Sequence, residues 1–93
     1  MPENLTHYAS SGFWQYYQKL PKHIQTQAKK QFAILKENPR HHSLRFQPNS
    51  GTSYWVARVT RGTYRAIARY QGNGEYLWVW IGTHQEYDKL LSQ

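Results

Sequence analysis

The sequence predicts an α+β fold: an N-terminal helical hairpin packed on a four-stranded, mainly antiparallel sheet, with a short C-terminal helix. Three observations predict it. Apolar residues recur at helical spacing before Pro39 and alternate with polar ones after it. Asn73-Gly74 is the pair preferred in two-residue hairpin loops. Thr83 and Glu86 stand at the spacing of a capping box, which opens a helix after the last strand.

Each element follows in order. Phe13, Tyr16, Tyr17 and Leu20 form one face of a first helix, with Ser10 or Ser11 as its cap. Pro21 ends that helix and can open the next at its first turn. Ile24, Ala28, Phe32 and Leu35 line one face of the second helix, and Lys22, Lys29, Lys30 and Lys36 stay largely off that stripe. Pro39 stops it by pushing Asn38 out of the helical region. Leu44 and Phe46 then alternate with Arg45 and Gln47 in a first strand. Strands over 54–60 and 63–70 join through Arg61-Gly62, and the strand over 75–81 precedes the last helix. At 93 residues the chain has length for one domain, 1–93, with one modest core. Its hydrophobic fraction of 39% is low, but 4 Trp, 8 Tyr and 3 Phe bury large areas per residue.

Two-residue loops at 61–62 and 73–74 set the expected register. Arg58 then faces Arg65, Ile67 faces Trp80, and Arg69 faces Trp78. One face carries Trp55, Ala57, Val59, Ala66, Ala68, Leu77, Val79 and Ile81 and meets the helices. The other carries Val56, Arg58, Arg65, Ile67, Arg69, Tyr76, Trp78 and Trp80. A slip in either turn moves side chains to the wrong face.

The formal charge is +7, and no acid occurs from Asn38 to Gly74, the stretch that holds every arginine. That asymmetry points to a polyanion or an acidic partner, with a solubilising surface as the alternative. Arginines directly opposite each other repel, and a bound anion offsets the repulsion. Guanidinium groups interleaved with Tyr and Trp suit RNA, gripping phosphate and stacking unpaired bases. A solvated face with arginines laid over tryptophans is the other reading.

His84 opens the last helix, and Tyr87 follows one turn later. A histidine there can exchange a proton near neutral pH or serve only as a second cap; Tyr87 can instead join Leu90 and Leu91 on the core. His41-His42 is a weak metal pair, because adjacent side chains diverge. There is no cysteine, so neither a disulfide nor a thiolate metal site exists, which fits a reducing compartment. No metal-hydrolase or phosphate-loop motif is found, and 5 acids scattered along the chain argue against a two-metal nuclease. Phosphodiester chemistry is therefore expected to need no metal and no cofactor. The first ten residues lack the apolar core of a secretory signal, and residues 77–81 fall far short of a membrane span, so a cytoplasmic location is expected.

FWQYYQKLP, LKENPRHHSLRF, YWVARVTRGTYRAIAR and WVWIGTHQEYDKLL together resemble the RelE/ParE superfamily of toxin–antitoxin toxins, over positions 13–91. The His-x-x-Tyr-Asp ending is similar to the HigB-like branch. The resemblance implies a helical hairpin on a curved antiparallel sheet and a ribosome-dependent mRNA endoribonuclease that leaves a 2′,3′-cyclic phosphate without metal. It assigns Arg65, in the "YRA" pattern, to the scissile phosphate, His84 to proton transfer, and Tyr87 to orienting or acid duty. Arg58 matches a second family arginine. Arg61, Arg69, Trp78 and Trp80 complete the expected RNA-binding set. A cognate acidic antitoxin is the implied protein partner, and mRNA and the ribosome the implied targets. The superfamily also contains DNA gyrase inhibitors without nuclease residues, which is one alternative; a catalytically silent member that only binds its antitoxin or RNA is another. It usually begins with a strand, and here "NLTHY" precedes the first helix.

Overall fold

The computed structural model describes residues 5–91. The first four and last two residues of the predicted domain, with the start of the stretch read as lacking a secretory signal, lie outside them. Strand β1 (Thr6–Ala9) leads into helices α1 (Ser11–Gln18) and α2 (Lys22–Glu37). Strands β2 (Gln47–Pro48), β3 (Tyr54–Arg58), β4 (Tyr64–Gly72) and β5 (Glu75–Thr83) follow, and α3 (His84–Leu91) closes the chain. The sheet order is β1-β5-β4-β3-β2, with β1 parallel to β5 and the other pairs antiparallel.

The sheet thus has five strands rather than the four expected, and it is mixed. Thr6–Ala9 is short and mostly exposed, so it shows no alternation. Its pairing is tertiary: the Thr6 N–H donates to the Gly74 carbonyl, and the Ser10 N–H to that of Trp78. The strand expected around Leu44 and Phe46 shrinks to Gln47–Pro48. Leu44 is buried instead at the end of a turn, and Arg45 follows with φ +44°.

The helices form as their spacing dictates. Ser10 caps α1 by accepting from the Phe13 N–H at 3.1 Å. Phe13, Tyr17 and Leu20 pack on the core, as do Ile24, Ala28 and Leu35 of α2. Phe32 stays 40% exposed. Gln31 is buried, and its amide donates to the Arg58 carbonyl at 2.9 Å, tying α2 to the end of β3.

Register decides the rest. Arg58 faces Arg65, and Ile67 faces Trp80, as expected. Asn73 and Gly74 both have positive φ, the geometry of the hairpin turn their sequence favours. Two irregularities interrupt the β4–β5 ladder, one between Tyr70 and Gly72 and one between Ile67 and Ala68. The first leaves Gln71 unpaired on β4, and the second leaves Val79 unpaired on β5. They compensate, so only the segment between them is displaced. There Arg69 faces Leu77, not Trp78. Tyr76 and Trp78 therefore belong to the core, where both are buried, and the expected places of Leu77 and Val79 in that core row are lost.

Trp78 donates its indole N–H to His7 Nδ1 at 3.0 Å, and the His7 ring stacks on Tyr76. On the opposite face Val56, Ile67 and Trp80 form a second buried row. Trp80 lies over Gly82: a Cβ on Gly82 would stand 2.5 Å from Trp80 Cζ2 and 3.1 Å from Glu86 Oε1. Gly82→Ala should therefore displace both the indole and the capping carboxylate. We expect a loss of about 1–3 kcal/mol, read as a lower midpoint in urea unfolding.

Burial, reinforced by Lys36, holds the His7 imidazole below its ordinary value of 6.5. Above that value both folded and unfolded chains carry neutral His7. As pH falls below it the unfolded chain gains a proton first, so stability falls until the folded-state value is passed. A series of urea midpoints from neutral to mildly acid pH should show this decline, with a shallower slope in His7→Gln.

Candidate functional site

The outer face of β3, β4 and β5 has an apolar floor and a cationic edge. Val56, Ile67 and Trp80 make the floor, Tyr16 of α1 meets Trp80 edge-on, and Arg58 and Arg65 sit opposite each other two pairs further along. Arg58 feels four effects that lower its pKa: desolvation first, then the charges of Arg45, Arg65 and Arg61. Its Nε is buried without a hydrogen-bond partner. Four guanidinium groups therefore converge, and within that group no carboxylate balances them. Such a cluster is costly in isolation and is stabilised by an anion.

Arg65 also joins the last helix. Its Nε–H donates to His84 Nδ1 at 2.7 Å, which makes Nδ1 the acceptor and places the imidazole proton on Nε2. Asp88 Oδ2 lies 3.3 Å from that Nε2. The Tyr87 ring stacks on His84 with centroids 5.9 Å apart, and the Arg65 guanidinium stands 5.6 Å from the Tyr87 centroid. One arginine, one histidine, one tyrosine and one aspartate are thus joined. An arginine has five N–H donors, so four at Arg65 remain for an anion.

Local structure fixes this geometry. The Thr83 N–H and hydroxyl both donate to Glu86, and the Glu86 N–H returns to Thr83 Oγ1, completing the expected capping box. The His84 N–H donates to the Thr63 carbonyl at 2.6 Å, pinning the start of α3 to the β3–β4 turn. Arg65 pairs with Gly82, two residues before His84. The strand and the helix start thereby bring Arg65 and His84 together.

The other expected residues are distributed differently. Arg61 is exposed in the turn, within electrostatic reach of Arg58. Arg69 is exposed further along β4, between Tyr54 and Leu77, away from the group. Trp80 is the floor, buried rather than open for stacking. The core encloses Trp78, which corrects its place on the arginine face. Two members of the cluster were missed. Arg45 lies in the acid-free stretch, but its alternation with Leu44 and Phe46 points to a strand and not to the cluster. Asp88 stands at i+4 from His84 on α3, a spacing that the sequence displays.

No protein-family model matches this sequence, and no curated protein does. Solved structures do. A chain of the RelB–RelE antitoxin–toxin complex from Methanococcus jannaschii superposes with TM-score 0.69 at 14% identity, covering 89% of this chain and 96% of that one. YafQ from E. coli gives 0.68 at 17%, covering 90% and 98%. The RelBE2 toxin–antitoxin complex from Mycobacterium tuberculosis gives 0.66 at 19%, with the same coverage. The chain has the RelE-like fold. The fold expected from the sequence is therefore the one found, with an added parallel edge strand. Within this RelE-like frame, the arginine cluster and the start of α3 occupy one end of the outer sheet face.

Proposed function

We propose that this chain is the toxin of a type II toxin–antitoxin pair and acts in the cytoplasm as a metal-independent endoribonuclease on mRNA at the ribosome. The observation that carries the reading is the 2.7 Å contact of Arg65 with His84 inside a cluster of four arginines. A phosphodiester supplies the missing negative charge. Arg65 and Arg58 hold the scissile phosphate, and the 2′-hydroxyl attacks its phosphorus. The new O2′–P bond forms as the P–O5′ bond breaks, giving a 2′,3′-cyclic phosphate and a 5′-hydroxyl. When the Arg65 guanidinium turns onto the phosphate its Nε–H leaves His84, which frees Nδ1 to take the O2′ proton. Asp88 then faces the imidazolium, Tyr87 orients it or protonates O5′, and Arg65 and Arg58 stabilise the growing phosphate charge.

An antitoxin fits the same reading. The matched structures include toxin–antitoxin complexes. A cleft of about 400 Å³ opens between α2 and the sheet, with Tyr8, Trp14 and Phe32 among its exposed apolar residues and Lys29 beside them. An acidic amphipathic segment matches both its surface and the +7 charge. No helix among the described residues is long and apolar enough to cross a membrane.

Arg65→Ala should abolish growth arrest and mRNA cleavage while leaving the unfolding midpoint nearly unchanged. His84→Ala should slow cleavage about 10²–10⁴-fold if the histidine exchanges the proton. Primer extension on mRNA from induced cells checks both substitutions; intact mRNA with blocked DNA supercoiling would instead establish gyrase inhibition.

Co-expression with the neighbouring reading frame should give a complex that weakens as salt rises. A chain that remains harmless and unpaired beside that neighbour would remove the toxin reading.

A further inference from the structure

Next to the Arg58–Arg65 pair lies a separate basin of about 590 Å³, lined by residues that include Arg40, His41, His42, Arg45, Arg58 and Arg61. No lining residue is acidic. Arg58 belongs to both places: it lines the basin and faces Arg65 across the ladder, where paired Cα atoms stand about 5 Å apart.

Two details distinguish this basin from a merely solvated patch. Arg45 holds a left-handed backbone, φ +44°, which is uncommon for a residue with a long side chain, and it lies close enough to Arg58 to lower its pKa. Neighbouring structure enforces that conformation: Leu44 before it is buried, and the Leu44 carbonyl accepts from the Arg58 N–H. His41 and His42 stack with centroids 4.7 Å apart and an interplanar angle of 19°. The inner ring is fixed, since His41 Nδ1 accepts from the Ser43 N–H and lies 2.9 Å from Ser43 Oγ. His42 is exposed, so the two-ring stack ends at solvent.

We propose that this basin is a second nucleotide subsite for single-stranded RNA, in which Arg45 and Arg61, beyond Arg58, hold the phosphate next to the scissile one and His42 stacks its base. This rests on the nuclease reading above and gives the substrate a path: from Arg65 and His84, past Arg58, to the 40–45 segment. Successive phosphates need successive cations, and an aromatic platform beside them accepts any base, because every base has a π-face.

The test is fluorescence anisotropy with a short labelled single-stranded RNA in which every 2′-hydroxyl is methylated, so that cleavage cannot intervene. Arg45→Gly and Arg61→Ala should each weaken binding about 3–10-fold and make the salt dependence shallower by about 0.7 in log–log slope. Arg45→Gly should be at least as stable as the parent chain in urea, because glycine accepts a positive φ without strain. His42→Ala should weaken binding about fivefold or more, and His42→Phe should restore it, since stacking needs a ring and not an imidazole.

Variants that bind RNA like the parent chain would overturn the subsite and leave the nuclease reading standing. His42→Phe behaving like His42→Ala would overturn the stacking role. A parent chain that binds no free RNA would overturn the subsite, while the nuclease reading would still be decided by primer extension on mRNA from induced cells. Unchanged RNA binding with weakened binding of the acidic protein partner would make the basin a protein contact and overturn the proposal.

Discussion

The β4–β5 ladder is the constraint on which the rest depends. It is the longest pairing in the sheet, and its register is interrupted twice in opposite senses. Between the interruptions Trp78 and Tyr76 turn into the core, where His7 from β1 meets both rings. Beyond them the register returns, so Trp80 faces outward beside Ile67, and Arg65 stands opposite Gly82. One unpaired residue on each strand thus gives a single β5 strand two large aromatics for the core and one for the floor of the opposite face. With an uninterrupted ladder, Trp78 would join that floor and the core would lose a buried indole.

Charge is arranged against stability on that outer face. Arg45, Arg61 and Arg65 stand close enough to Arg58 to lower its preference for charge, and a buried Arg58 Nε goes unpartnered. The fold tolerates this because the floor beneath is apolar and closely covered, and because Gln31 of α2 holds the Arg58 backbone from the core side. Unbalanced like charge is a feature of binding sites, where the ligand provides what the chain omits. The left-handed Arg45 is of the same kind: local strain held in place by a buried neighbour.

The last helix links fold to chemistry. Its first residue is His84, and three separate contacts fix that residue: the capping box at Thr83 and Glu86, the Thr63 carbonyl, and the Arg65 Nε–H. Secondary structure alone sets the first, and the β3–β4 turn sets the second. The third joins the helix to the cationic cluster, so an anion at Arg65 and the packing of α3 act on the same imidazole.

By itself the sequence determined the helices, the hairpin turn at Asn73-Gly74, the capping box and the Arg58–Arg65 pairing. Each rests on contacts between residues near in the chain or on a period that one strand or helix displays alone. It also displayed the acid-free arginine stretch, since charge is a property of composition. Tertiary structure alone decided the short β1 strand, whose four mostly exposed residues carry no alternation and pair in parallel with a segment about seventy positions away. It also decided the face of Trp78. A bulge is invisible to a period of two, because residue identity does not mark which position goes unpaired. The meeting of Arg65 with His84 is likewise unreadable in sequence: it depends on the depth at which α3 begins, and the carbonyl of Thr63, in the β3–β4 turn, fixes that depth.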